Sequence, residues 1–126
     1  MHPISRYVQA QSATATPERI MLLLFEGALR NIRAGAEALE VGRVRESDRS
    51  LSKAAEIVAA LDGSFDAARF PALAKNLGPV YRFVCQRLLF ALLRRDPRMA
   101  RQAERVFWPV ADAFSRAVEM TKAGAP

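Results

Sequence analysis

The segment from residue 16 to residue 29 reads TPERIMLLLFEGAL and decides the fold, because a helix start is followed directly by a strongly apolar run. The hydroxyl of Thr16 is suited to cap free backbone N–H groups. Pro17 has no N–H to leave unsatisfied, and Glu18 lies at the positive end of the helix dipole. The pattern predicts a helix over about 17–41.

This first helix is apolar over more than one face. Its main stripe recurs at spacings of three and four residues as far as Leu39, and Gly42 then supplies a stop. Met21, Leu22 and Phe25 lie outside that stripe. Burial on two sides in a small bundle explains the excess, and so does a groove for a partner. The residues alone leave both explanations open.

Three further helices follow, each recognised by apolar residues at helical spacing. The second is predicted over about 47–62, with Ser47 or Asp48 as its cap. The third is predicted over about 71–95, and it also carries apolar residues over a wide arc. The fourth, over about 97–122, begins with an aspartate followed by proline, which repeats the cap-then-proline signal.

Short connectors favour antiparallel neighbours, so the predicted fold class is all-α, an antiparallel up-down four-helix bundle. The bundle occupies about 17–123, after a flexible N-terminal arm over 1–16. Pro79 is expected to kink the third helix or to leave a short separate first turn, and Pro109 is expected to kink the fourth.

Composition excludes several classes of protein. The chain has 126 residues, 51% of them hydrophobic and 25% charged, which is typical of one globular domain. Its longest apolar runs are six residues, too short to span a bilayer, and we expect it in the cytoplasm without stable membrane insertion. One cysteine and one histidine exclude the familiar nucleophilic and His-rich metal sites. We therefore expect no enzyme activity and no cofactor.

The net charge is +6, and arginines concentrate around the turn between the third and fourth helices. The members of this arginine cluster are Arg94, Arg95, Arg98, Arg101 and Arg105. A solvated face, a surface for an acidic protein and a nucleic-acid surface are the three interpretations. Nucleic acid is the least favoured, because no RNA-binding motif or metal finger accompanies the charge.

Several stretches, taken in order, resemble the flagellar secretion chaperone family FliS. The matching residues are Tyr7, the Thr14-Ala15-Thr16-Pro17-Glu18 helix start, Met21 to Leu29, Leu51-Ser52-Lys53-Ala54, Ser64-Phe65-Asp66, Asn76-Leu77, Tyr81, Arg87-Leu88 and Asp96. Phe25 and Phe83 stand where tyrosines are usual in that family. The resemblance runs from the arm to the end of the third helix.

The resemblance implies a cytoplasmic chaperone that binds the C-terminal helical segment of flagellin, with a 1:1 complex and export-gate components as a further partner. Its grooves are expected on the wide apolar arcs of the first and third helices. The predicted partner-binding residues are Ile4, Tyr7, Ile20, Leu23, Leu24, Phe25, Leu77, Tyr81, Val84 and Leu88. The alternatives are a basic helical nucleic-acid-binding or regulatory bundle and a self-associating structural bundle.

The arm has an intermittent apolar face, with Tyr7 and Val8 three and four residues after Ile4, but it is too short and polar to be a stable helix alone. One hypothesis makes it a lid whose Ile4 and Tyr7 cover part of the groove until flagellin displaces them. The other makes it a clamp that contacts the client directly.

Overall fold

A computed structural model describes residues 16–64 and 71–124, with side chains described over 16–63 and 75–120. It contains four helices: α1 (Pro17–Glu40), α2 (Val44–Ser64), α3 (Pro71–Arg94) and α4 (Pro97–Gly124). Strands are absent from these described ranges. None of the four helices is long and apolar enough to cross a membrane.

The helices form an up-down four-helix bundle in which each helix packs against two neighbours. α1 packs against α2 and α4, and α3 also packs against α2 and α4. α1 and α4 are antiparallel, as the contacts at their two ends show. Phe25 meets Phe114 near one end, while Glu40 meets Arg101 near the other. The α2–α3 pair is also antiparallel, because Asp62 and Arg82 are close at one end and Asp48 and Arg95 at the other. The predicted fold class is confirmed.

Both ends of α1 follow the sequence signals. The Arg19 N–H donates to Thr16 Oγ1 at 3.1 Å, so Thr16 caps the helix as predicted. At the other end Gly42 has a φ of +79°. The Arg43 N–H donates to the Ala38 carbonyl at 2.8 Å and the Gly42 N–H to the Leu39 carbonyl at 3.2 Å. This pair of bonds is a Schellman stop, which requires a left-handed residue such as glycine.

The predicted cap of α2 is wrong. The helix begins at Val44 rather than at residue 47, so Ser47 lies inside the first turn. Its hydroxyl donates to the Val44 carbonyl at 2.7 Å, its N–H donates to the Arg43 carbonyl at 3.0 Å, and the side chain is buried. The Schellman stop explains the difference, because it turns the chain within two residues and lets α2 start at once.

The prolines do not divide their helices. α3 runs unbroken through Pro79, so the alternative of a short separate first turn is wrong, and α4 runs unbroken through Pro109. Pro79 and Lys75, whose carbonyl loses its helical partner, are both exposed. Water can therefore satisfy that carbonyl, which lowers the cost of proline inside the helix.

The core runs the length of the bundle and is filled by residues from all four helices. Its largest fully buried side chains include Tyr81, Phe25, Phe107, Ile32, Leu51 and Leu61. α1 and α2 are in close contact at Gly35, where an added methyl group would overlap the Leu51 side chain. This close approach needs glycine because no larger residue leaves space for Leu51.

Candidate partner-binding site

An apolar pocket of about 310 Å³ opens between α1, α3 and α4 at the end of the bundle where α1 begins. Its lining comes from three helices: Phe25, Leu77, Pro109, Val110, Ala113, Phe114 and Ala117. All seven side chains are apolar, so the pocket offers almost no hydrogen-bonding groups to a ligand. A pocket of this character suits the apolar side chains of another polypeptide.

A cluster of packed aromatic rings forms the floor of the pocket. The Phe25 ring is fully buried and lies 4.9 Å from Phe114, 5.7 Å from Phe107 and 6.3 Å from Tyr81, measured between ring centroids. Packed rings of this kind add to the stabilisation from burial alone. Above them, Ala113 on α4 is too small to fill the space, which leaves the pocket open.

The structure separates the predicted binding residues into groups. Ile20, Leu23 and Leu77 are half-buried. Ile4 and Tyr7 lie outside the described residues. Five side chains are buried in the core: Leu24, Phe25, Tyr81, Val84 and Leu88.

The expectation of an exposed groove needs correction for most of that buried group. Leu24, Tyr81, Val84 and Leu88 are at most 4% exposed and are absent from the pocket lining, because the facing helices cover that side of α1 and α3. The wide apolar arcs therefore reflect two-sided burial at these positions. Phe25 and Leu77 do line the pocket.

The α4 side of the pocket was not predicted as a binding surface. Val110, Phe114 and Ala117 are spaced four and three residues apart, and this periodicity is equally typical of a helix face buried in the core. The available signal is the pair of small residues Ala113 and Ala117, one turn apart and next to Pro109. Such a pair leaves space beside a helix without showing whether another helix fills it.

The described ionisable groups give no support for catalysis. Burial, with a smaller contribution from the Asp62 charge, raises the pKa of the Cys85 thiol and of the Tyr81 hydroxyl, which disfavours the reactive anions. Cys85 is half-buried. Its Sγ lies 3.8 Å from the Ala55 carbonyl oxygen.

Most of the arginine cluster is neutralised within the bundle. Arg101 bonds to Glu40 at 2.7 Å and to Glu104 at 2.9 Å, while Arg98 meets Asp96 at 3.1 Å. Arg95 lies 3.8 Å from an oxygen of Asp48 on α2. Two of these acids come from α1 and α2, so their role was hidden in the sequence. Cations already paired in this way are poorly disposed to bind phosphate groups.

The fold and pocket define a class of protein: over the described residues it is a four-helix bundle with an apolar pocket. The sequence matches the family model described as "Flagellar protein FliS" over residues 1–121. The chain belongs to the FliS family of flagellar chaperones. The resemblance noted from the sequence is thereby confirmed.

Individual relatives agree with this assignment. Over 118 residues the chain is 30% identical to the flagellar secretion chaperone FliS of Bacillus subtilis strain 168, a match that covers 94% of this chain and 87% of that protein. It is 29% identical over 110 residues to the flagellar secretion chaperone FliS of Salmonella typhimurium strain LT2, covering 86% and 82% respectively. A crystal structure of a flagellar chaperone from bacteria superposes with a TM-score of 0.72 at 19% identity, covering 91% of this chain and 94% of the other.

Proposed function

We propose that this chain binds the C-terminal helical segment of flagellin in the cytoplasm as a 1:1 complex. Binding prevents premature filament polymerisation, and the complex then delivers the client to the flagellar type III export apparatus. The family assignment and the apolar pocket at the start of α1 support this proposal. The pocket is the observation that carries it.

The chemistry of the client fits the pocket. Filament subunits associate through apolar helical faces, so a chaperone that masks such a face needs an apolar concave surface of its own. Pocket residues from three helices surround one opening, and the half-buried Ile20 and Leu23 lie on the same helix as its floor. We assign these two, with Leu77 and Phe114, as direct contacts. Leu24, Tyr81, Val84 and Leu88 act indirectly, by holding the helices in place.

Filling the pocket tests the proposal. Ala113 is exposed on the pocket rim, so Ala113→Glu places a charge in the opening without disturbing the core. We expect the affinity for a flagellin C-terminal peptide to fall at least about tenfold, measured by calorimetry. Ala34→Glu makes the same change at an exposed position of α1 away from the pocket lining and is the matched control. Equal losses in both variants, or none in Ala113→Glu, contradict the proposed site.

The arm hypotheses are tested by deleting residues 1–15, which lie outside the described residues. A lid whose docking is worth about 1.4 kcal/mol leaves the site open roughly a tenth of the time, so its removal tightens peptide binding about tenfold. Removal of a clamp weakens binding instead. Unchanged affinity rejects both roles. Sizing of the deleted protein checks the further expectation that uncovering the groove increases self-association.

A further inference from the structure

A second apolar surface lies on the outer side of α3. Three of its large apolar side chains are unusually exposed: Phe83 is 40% exposed, Leu89 51% and Leu93 71%. We define the α3 outer face by six residues: Phe83, Arg87, Leu89, Phe90, Leu93 and Arg94. None of these residues lines the pocket assigned to the client.

The arrangement of this face follows from helix geometry. The seam that packs into the bundle is Leu77, Tyr81, Val84, Leu88 and Ala91, with alternating spacings of four and three. A second seam of Phe83, Gln86, Phe90 and Leu93 has spacings of three, four and three. It is displaced by two residues, about 200° around the helix, so it faces away from the first. α3 therefore carries a coiled-coil-like seam on each side. The first packs into the bundle, whereas the second is exposed at Phe83, Gln86 and Leu93 and half-buried at Phe90.

Two cations flank the second seam seven residues apart. The Arg87 guanidinium lies 5.2 Å from the Phe83 ring centroid and 5.5 Å from that of Phe90, and Arg94 lies 5.0 Å from the Phe90 centroid. Arg87 donates to Met99 Sδ and Gln102 Oε1 on α4, but its buried Nε has no hydrogen-bond partner in the described part of the chain. Within the same part, neither arginine forms an ion pair with an acid.

We propose that the α3 outer face binds an amphipathic helix of a partner protein, one with apolar residues in a three-four repeat and acidic residues spaced seven apart along one edge. The apolar seam takes the repeat, and Arg87 and Arg94 pair with the acids. This inference is independent of the flagellin proposal, because it concerns a separate surface and a second partner.

The charge of the α3 outer face favours an acidic partner helix over the N-terminal arm or a second copy of the chain. Residues 1–15 include Arg6 and no acidic residue, so the arm does not complement the two arginines. A second copy bound through the same face would bring arginines toward arginines in a chain of net charge +6. Like charges placed together across an interface disfavour that pairing. An acidic helix from another protein meets both the apolar and the cationic requirements.

The experiment uses the full chain and two synthetic probes. Both are labelled 21-residue helical peptides with leucine at the apolar repeat positions. One carries glutamate at the flanking positions and the other lysine. Fluorescence anisotropy is expected to show the glutamate peptide binding at least about tenfold more tightly, because two flanking pairs change from attractive to repulsive. Equal affinities overturn the proposal.

Variants locate the binding. Leu93→Asp changes a highly exposed side chain, so the helix content and melting temperature should be retained while glutamate-peptide binding falls at least about tenfold. Arg94→Glu should reduce the preference for glutamate over lysine. Ala113→Glu introduces an acid at the pocket between α1, α3 and α4, and it should leave binding of the glutamate peptide unchanged. Loss in Ala113→Glu without loss in Leu93→Asp assigns the probe to the pocket and rejects the proposal.

Two further measurements distinguish other occupants. Analytical ultracentrifugation without peptide is expected to show the same oligomeric state for the parent protein and for Leu93→Asp. A dimer that this variant dissociates makes a second copy the occupant and overturns the proposal. Any binding to vesicles that contain anionic lipid is expected to be equal for the parent protein and for Leu93→Asp. Binding that Leu93→Asp abolishes makes the face a lipid surface and also overturns it.

Discussion

The two ends of the bundle are built largely from the same pair of helices, α1 and α4, yet one end is closed and the other open. At the closed end, the second half of α1 meets the first half of α4 through small core residues and an ion-pair network. At the open end, the first half of α1 meets the second half of α4 around an apolar pocket. The ion pairs and the proposed binding pocket therefore lie in different halves of the same helices.

The difference begins with side-chain size and charge. At the closed end α1 packs tightly on α2, because Gly35 leaves space for Leu51, and it is joined to α4 by the Arg33–Glu104 and Glu40–Arg101 ion pairs. At the open end, Ala113 is too small to fill the space beside the Phe25 floor. The pocket that we propose as the client site arises from incomplete packing between the helices rather than from a separate binding motif.

The largest expected effect contrasts two phenylalanines of α4. Phe107 is fully buried between the halves, whereas Phe114 is half-buried on the pocket wall. Phe107→Ala should lower the free energy of unfolding by about 3–5 kcal/mol, because it leaves a closed cavity. Phe114→Ala should cost about 1–2 kcal/mol, because part of its surface already faces solvent. Urea denaturation followed by circular dichroism measures both, and similar costs would show that the pocket end is as tightly packed as the core.

A smaller effect is expected at the tight contact of the closed end. In Gly35→Ala the new methyl group overlaps the buried Leu51 side chain, and overpacking costs about 1–3 kcal/mol. This exceeds the roughly 1 kcal/mol that alanine gains over glycine in a helix, so the variant should be less stable. Gly63→Ala is the matched control in α2, where the methyl group meets open space and should stabilise by up to about 1 kcal/mol. Thermal melts of both variants should shift in opposite directions, and a stabilised Gly35→Ala would refute the tight contact.

The smallest effect concerns the ion pairs and depends on pH. Partial burial would raise the pKa of Glu104, but hydrogen bonds from Arg33 and Arg101 outweigh it and hold that pKa below its ordinary value. A hydrogen bond from Arg101 likewise lowers the pKa of Glu40. A lowered folded pKa gives stability that is present above the ordinary glutamate value near 4.3 and is lost as the pH falls through the folded value.

Glu104→Gln should therefore destabilise the protein by up to about 1 kcal/mol at pH 7, and the difference from the parent should shrink at about pH 3. Denaturant midpoints at the two pH values test this. Glu37→Gln makes the same change at an exposed position of α1 and is the matched control. A Glu104→Gln effect that persists undiminished at low pH would show that the side chain stabilises by packing rather than by charge.

Much of the fold was predictable because its signals are local. Thr16 and Pro17 start α1, and Gly42 stops it, through bonds that span no more than five residues. Where a local signal was misread, another local signal prevailed. Ser47 is a good cap by type, but the turn at Gly42 had already started α2 three residues earlier.

The candidate site was predictable only in part. Phe25 and Leu77, predicted as binding residues, line the pocket, whereas Leu24 and Val84 were predicted on the same surface and are buried in the core. Periodicity gives the face on which an apolar residue lies but not what covers that face. The same limit explains why α4 was overlooked as a pocket wall.

The sequence by itself determined the four helices, their antiparallel order and the family, because caps, periodicity and motif order are all properties of neighbouring residues. The tertiary structure alone decided which apolar positions became core, pocket or exposed face. It also decided that Glu40 and Asp48 would neutralise arginines more than 45 residues away in the chain. Burial and charge pairing depend on which helices pack together, and that information belongs to the assembled bundle rather than to any one segment.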